Sequence, residues 1–370
     1  MNFLETLTRY EPRGLNHEYP LLWDDASAWH VQGINQYNQL KTYIDFTSGI
    51  FAVCTGHGNI KVAKAIIEQA NRFTHSYIFP NLPRLELVKK LIKITGMEKI
   101  LLTVTGSEAN EAAYQMMLRN RNGRVLSIKG AYYGSTSGIR LLNQGSIDES
   151  IFPDSFNPPD IAGVFLQAFR GINARFMPYE WIKEWVNWAQ GNNIPVVFDE
   201  MQSGIARTGK WFGYQHFDVK PDLICFGKGL GAGMPITAVA GKAELFEYAD
   251  DLWSTHTGNP ICCAAALASL EEIEERNLIE KTAHIGEWFG KELWKRFPQY
   301  GIYGKGLIWA IDLGDAQLAE RVVDKCAEGG LLMVKTHANT LKIAPPLVIP
   351  KEALLEGLDI LKGVIECQFP

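Results

Sequence analysis

Apolar positions along the chain switch between two spacings. From Lys61, the residues Val62, Ala65, Ile66, Ala70 and Phe73 fall on one face of a 3.6-residue repeat, and after Arg84 the residues Leu85, Val88, Leu91 and Ile92 do the same. Short unbroken apolar runs then alternate with such faces. Ile100–Val104 is followed by Gly106 and Ser107 and by a helical pattern from Glu108 to Leu118, with Ala109, Ala112, Ala113 and Met116 inward. Val125–Ile128, Ile161–Leu166, Ile194–Phe198, Leu223–Phe226 and Pro235–Ala240 predict further strands, and Trp181–Ala189 and Pro260–Arg276 further helices. Alternation sustained from residue 61 to residue 276 predicts an α/β fold, a mostly parallel central sheet with helices on both faces.

After Arg276 the pattern shifts to a helix, strands and two more helices, Ala316–Glu328 and Lys351–Ile365. This predicts a large α/β domain over 47–265 and a smaller α+β domain built from 1–46 and 266–370. The first forty-odd residues are rich in aromatics, Asn, Asp and Pro and read as irregular, with short strands near Leu21–Trp23 and Thr42–Phe46.

Composition narrows the function classes. With 370 residues, 46% hydrophobic and 21% charged, the chain is long enough for two packed domains and is neither disordered nor fibrous. A formal charge of -5 argues against a nucleic-acid binder that relies on a basic face. The six cysteines lack C-x-x-C spacing and read as small buried apolar residues in a reducing compartment. The start, MNFLETLTRY, has no apolar signal-peptide core, and the longest apolar stretch, Ile261–Leu270, is too short to span a bilayer. The expected setting is the cytoplasm, with no membrane or nucleic-acid partner. The eight histidines show no ligand spacing, so no metal site is expected, and His57 reads as a turn histidine.

In open α/β sheets, ligands bind outside the carboxyl ends of the strands. Three such ends carry reactive groups. Thr105-Gly106-Ser107 opens a helix, whose free N–H groups and dipole suit a phosphate; the plainer reading makes Ser107 an N-cap. Asp199 follows an apolar strand directly; the plainer reading is a turn aspartate. Lys228 follows another, between Gly227 and Gly229, where burial would make its amine nucleophilic; the plainer reading is a solvated loop lysine. Together they match one chemistry: a lysine that forms a Schiff base with an aldehyde cofactor, an acid for a pyridine nitrogen and a helix start for a phosphate, the set of contacts that pyridoxal phosphate requires.

Two segments sharpen this reading. VFDEMQSGIARTG at Val197–Gly209 and PDLICFGKGLGAGMPI at Pro221–Ile236 resemble, in order and spacing, the signature of the class III (ornithine/4-aminobutyrate-like) pyridoxal-phosphate aminotransferases of fold type I. The resemblance runs from about Asp45 to about Ile360. It implies pyridoxal 5'-phosphate as cofactor, Lys228 as the Schiff-base lysine, and Asp199 as the acid at the pyridine N–H. It also implies Gln202 near the phenolic oxygen, Gly106 and Ser107 at the phosphate, and Tyr132 stacked on the ring. Thr255, in STHTGNP, matches a threonine that reaches the phosphate of a neighbouring subunit, which implies a homodimer with shared active sites.

The chain departs from the family pattern in places. Tyr133 stands where most relatives have His, Ala206 where they often have Gly, and Thr257 replaces a Gly. Two departures bear on the substrate. Lys342 stands where many relatives carry an Arg that grips an α-carboxylate, and Gln167 opens the segment in which relatives carry a Glu that masks this Arg. The resemblance thus pairs Lys342 with Gln167; Arg170, Arg140 or Arg175 is the other candidate for the carboxylate. Phe46, Phe51, Tyr77, Phe79 and Phe169 are candidate pocket aromatics. The activity implied is transfer of an amino group from an amino-acid or ω-amine donor to an oxo-acid or other carbonyl acceptor, with ping-pong kinetics. An aminomutase, racemase or decarboxylase on the same scaffold would share every cofactor contact. A cofactor-binding regulator would need a DNA-binding module, and none is visible. A nucleotide-binding protein would need a phosphate loop with helix, which Gly229–Gly233 does not provide.

Overall fold

The structure, a computed structural model, describes the chain except for residues 1–2, 13–20, 36, 172, 174, 337 and 369–370. Strands β1 (Leu21–Ser27), β2 (His30–Asn35) and β3 (Leu40–Asp45) form an antiparallel meander. The middle of the chain supplies β4 (Lys99–Thr103), β5 (Arg124–Ser127), β6 (Ile161–Leu166), the short hairpin β7 (Phe169–Arg170) and β8 (Arg175–Phe176), then β9 (Val196–Asp199), β10 (Leu223–Phe226) and β11 (Thr237–Gly241). The C-terminal part adds β12 (Gly301–Lys305), β13 (Ile308–Asp312), β14 (Leu331–Leu332) and β15 (Thr340–Ile343).

The central sheet has the order β4-β11-β10-β9-β6-β5. Within it β11 runs against both neighbours, while β5, β6, β9 and β10 pair in parallel, so the sheet is mostly parallel as the run pattern predicts. Every residue of β6, β9 and β10 is buried, which is why these strands read as unbroken apolar runs rather than alternating ones. Because β11 is reversed, its first residue lies at the same edge as the last residues of the others. Small residues let the flanking helices approach closely: Ala265 and Ala268 of the helix Pro260–Glu275 pack on Val62 of the helix Ile60–Ala70. Besides the β7–β8 hairpin, the described residues form two further sheets, β1-β2-β3-β14 and β12-β13-β15. In the first, β3 pairs in parallel with β14, so residues near the start of the chain are bonded to residues near its end.

The N-terminal segment is more regular than its composition suggests. Phe3–Tyr10 is a helix with Glu5 in its first turn and Arg9 in its last, favourable ends for the helix dipole. It is too short for a periodic signal, and β1 leaves most of its side chains exposed, so no alternation marks it. Among the cysteines, all free, five are buried and Cys367 is exposed. Among the described residues, no helix is long and apolar enough to cross a membrane.

Candidate active site

The carboxyl edge of the central sheet collects the predicted groups. A cavity of about 210 Å³ is lined there by Gly106, Ser107, Tyr132, Gln167, Asp199, Gln202 and Lys228, with Asn110, Phe169 and Thr237 among the other walls. A larger cleft of about 730 Å³ opens at the opposite edge, between Gly96, Pro195, Pro221 and Lys242. It holds none of the predicted residues, and ligands in such sheets bind at the carboxyl ends.

Asp199 is the last residue of β9 and is 5% exposed. Its Oδ1 accepts from the Met201 N–H at 2.9 Å, so the turn-aspartate reading is correct for one oxygen. Its Oδ2 accepts two amide hydrogens, from Asn110 and from Gln167, both at 3.0 Å. Burial pushes this carboxyl up to about 6, against the pull of those three donors and of Lys228. The neighbouring Glu200 points the other way, into the core. It accepts from the Ser203 hydroxyl and from the Gly213 and Tyr214 N–H groups, and burial pushes it up to about 7.

Lys228 opens a single 3-10 turn, Lys228–Gly231, directly after β10. It is largely buried, not a solvated loop lysine: burial lowers its proton affinity, and Asp199 partly restores it. Glycine is required on both sides. A Cβ on Gly227 would stand 2.2 Å from Cγ2 of Thr237, and one on Gly229 would stand 2.3 Å from Sγ of Cys54.

The helix Gly106–Asn120 is capped by Thr105, not by Ser107. The Thr105 hydroxyl accepts from the Glu108 N–H at 3.2 Å, and the Glu108 carboxylate accepts from the Thr105 N–H at 2.8 Å. Ser107 is thereby free of capping, and its Oγ takes the Ser135 N–H at 3.0 Å. Gly134, at φ 145°, is needed beside it, because a Cβ there would lie 2.7 Å from that Oγ. The Ser107 and Ser135 hydroxyls, 3.4 Å apart, and a helix start with its positive dipole end form a cradle suited to a phosphate. Tyr132, 52% exposed, lines the cavity next to it. Tyr133 instead turns into the core, where its hydroxyl bonds the Ile128 N–H and the Phe165 carbonyl, both at 3.1 Å.

One substrate expectation needs correction. Gln167 does not pair with Lys342: its Nε2 donates to the Tyr132 carbonyl at 2.9 Å and to Asp199, because the end of β6 lies beside the end of β9. Lys342 is 4% exposed within β15, and its amine bonds the Gly171 carbonyl and Oε1 of Gln202. Arg170 is paired with Glu149, and Arg140 and Arg175 are exposed. Thr255 also lies outside the cavity of its own chain and is exposed. Of the pocket aromatics, Phe169 lines the cavity, Phe46 packs in the core against Phe289, and Tyr77 and Phe79 are exposed. His57 is not merely a turn residue; its Nε2 is 2.8 Å from the buried carboxylate of Asp45.

A buried lysine, a buried acid and a phosphate cradle around one cavity fit pyridoxal phosphate, an aldehyde, a pyridine nitrogen and a phosphate on one ring. Comparison with known proteins agrees. The family described as Aminotransferase class-III matches residues 34–146 and 147–365. A leucine/methionine racemase of Thermococcus litoralis is 34% identical over 92% of this chain and 89% of its own. An acetylornithine aminotransferase of Archaeoglobus fulgidus is 32% identical over 87% and 90%. The crystal structure of an acetylornithine aminotransferase from Elizabethkingia anophelis superposes with a TM-score of 0.86 at 28% identity, covering 98% of each chain. The architecture is thus that of fold type I, and the chain belongs to the class III aminotransferase family, enzymes that transfer amino groups with pyridoxal phosphate.

Proposed function

We propose that this enzyme moves an amino group from an amino-acid or ω-amine donor to an oxo acid, with Lys228 as the residue that holds the cofactor and carries the proton. The observation that supports this most is that Lys228 and Asp199 face one cavity whose rim is a helix start. Pyridoxal phosphate, when bound, supplies an aldehyde for amines and a ring that takes up an electron pair. Asp199 would keep a proton on the ring nitrogen, and Asn110 and Gln167 would aim its oxygen there. Gly106 and Ser107 would bind the phosphate, Tyr132 would cover the ring, and Gln202 would donate to the phenolic oxygen. The Lys228 amine, with its proton affinity lowered by burial, would take the proton from the substrate carbon and return it to a second carbon.

We extend the reading to a homodimer in the cytoplasm. Tyr77, Ile78, Phe79, Leu82 and Leu85 leave a large apolar surface exposed, which a second copy would cover, and Thr255 would reach its phosphate cradle. Five buried unpaired thiols suit a reducing compartment.

The test is Lys228→Ala with pyridoxal phosphate added. Loss of both the visible absorption band and turnover supports the reading; retention of both overturns it. Racemisation is a second reading, favoured by the similarity to the Thermococcus litoralis enzyme. The two differ in their need for a co-substrate: amino transfer stops without an oxo acid, whereas racemisation does not.

A further inference from the structure

One part of the cavity wall has no task in holding a cofactor. Asp199, Asn110 and Gln167 serve the ring nitrogen, Gly106 and Ser107 the phosphate, and Tyr132, Gln202 and Lys228 the ring and its aldehyde. Phe169, the first residue of β7, lines the same cavity and serves none of these. Behind it stands a buried apolar cluster separate from the main core, made of Phe51, Ile308, Ala310 and Ala344, with Phe176 packed against it. The Phe169 and Phe176 rings meet edge to face with centres 5.4 Å apart. The segment at Phe51, the β7–β8 hairpin, β13 and the end of β15 thus bring apolar atoms to one side of an otherwise polar cavity.

Charge is kept away from this side. Among the described residues that line the cavity, the charged side chains are Asp199 and Lys228. The cations beside the apolar cluster do not line it and are turned to protein oxygens. Arg170 pairs with Glu149. Lys342 and Arg207 lie 5.4 and 5.7 Å from the centre of the Phe51 ring. Lys342 donates to the Gly171 carbonyl and to Oε1 of Gln202, and Arg207 to the Leu307 and Pro345 carbonyls. A charged substrate end laid on Phe169 would lose its water and find no counter-charge on that wall, which is costly. An aliphatic end gains by the same loss of water.

We propose that Phe169 is a specificity-determining residue that selects an apolar substrate side chain, so that amines and oxo compounds carrying an aliphatic group are taken in preference to those carrying a carboxylate of the same size in its place. This rests on the functional reading of the cavity and adds the substrate class.

The experiment is calorimetry of the holoenzyme with two acids that have no amine to transfer, 4-methylpentanoate and butanedioate. Both carry a carboxylate and a two-carbon spacer, and they end in groups of similar size and branching, isopropyl in one and carboxylate in the other. We expect 4-methylpentanoate to bind about tenfold tighter or more, the usual effect of burying an aliphatic group of this size. Phe169→Ala should weaken 4-methylpentanoate about tenfold and leave butanedioate within about twofold, a split that a general loss of structure would not produce. Phe169→Leu, still apolar, should retain the preference. Wild-type enzyme that binds butanedioate as tightly, or that does not bind 4-methylpentanoate, overturns the proposal whether or not the variants fold. So does Phe169→Ala enzyme in which both acids weaken alike or neither does. The two readings fail separately: the visible band of lysine-bound cofactor reports on the functional reading, and the ratio of the two affinities on this one.

Discussion

Gln167 places its side-chain nitrogen 3.0 Å from Oδ2 of Asp199, and Asn110 places its own at the same distance from the same oxygen. An acid that burial pushes up to about 6 is thus steadied by two neutral amides rather than by a neutralising cation. Its charge stays available to whatever faces it. The amide oxygens Oδ1 of Asn110 and Oε1 of Gln167 are buried with no hydrogen-bond partner among the described residues, so the pair is arranged around the donors.

Removing either donor should loosen the acid. A hydrogen bond to a charged group contributes about 1.5–3 kcal/mol, so Asn110→Ala and Gln167→Ala should each weaken pyridoxal-phosphate binding by about tenfold or more. The double variant should cost less than the sum, since both bonds end on one oxygen. Spectrophotometric titration of the apoenzymes measures this; unchanged affinity in both single variants would show that the amides do not act on the acid.

Gly227→Ala should displace Lys228 by driving a methyl group into Cγ2 of Thr237, 2.2 Å away. Overpacking of this kind costs about 1–3 kcal/mol. Thr237→Ser removes Cγ2 but keeps the hydroxyl that bonds Oγ1 of Thr103 at 2.6 Å and the Thr105 carbonyl at 3.0 Å. It should therefore restore part of the loss in the double variant, as read by thermal unfolding and by the visible cofactor band.

The pH dependence of stability has a definite sign. Glu200 moves from an ordinary 4.5 to about 7 on folding, and Asp199 from 3.8 to about 6. Groups raised in this way favour the folded state below their unfolded values and lose that contribution as pH climbs through the folded ones. The apoenzyme should therefore lose stability between about pH 4 and 7. In Glu200→Gln the slope across that window should shrink, while the lost acceptor costs about 1–3 kcal/mol at low pH. Denaturant midpoints measured across the window check both parts.

The chain turns left-handed over four consecutive residues, Ser48, Gly49, Ile50 and Phe51, with φ of 49°, 57°, 58° and 70°. Three of them are not glycine, at about 1–2 kcal/mol each for a side chain in this region. Ile50 is 42% exposed and bears the cost with little burial in return. Ile50→Asn should stabilise the protein by about 1 kcal/mol, since asparagine tolerates this conformation. A rise in melting temperature is the expected result; a fall would mean that Ile50 makes a contact in the assembled enzyme.

The central fold was legible because buried parallel strands leave continuous apolar runs, as in Ile161–Leu166, and each reactive group follows one directly. The cap at Thr105 was legible too, in Glu108 three residues later, but the adjacent Ser107 competes for the same role. Asn110 lies one helical turn beyond Gly106, a spacing that puts both on one face, yet nothing local says that this face meets Asp199. Lys342 was illegible in kind. A lysine in a four-residue strand looks like a surface group, and only the packing of β15 beside the segment after β7 buries it. Gln167 went to Asp199 because sheet order, not sequence distance, decides which strand ends are neighbours.

The pairing of β3 with β14 sets an order of events during synthesis. Ile44 finds Leu331, and Asp45 finds Leu332, only after most of the chain has left the ribosome. Until then the edge of β3 is open, a slow long-range closure exposed to misassembly. Asp45 in turn ties down Thr47, Ser48 and His57, and the Phe46 carbonyl accepts from Ala344, two residues beyond Lys342. The wall that carries Phe51 is therefore among the last parts of the nascent enzyme to mature, and a prematurely terminated chain would keep its lysine and its acid but lack a finished substrate side.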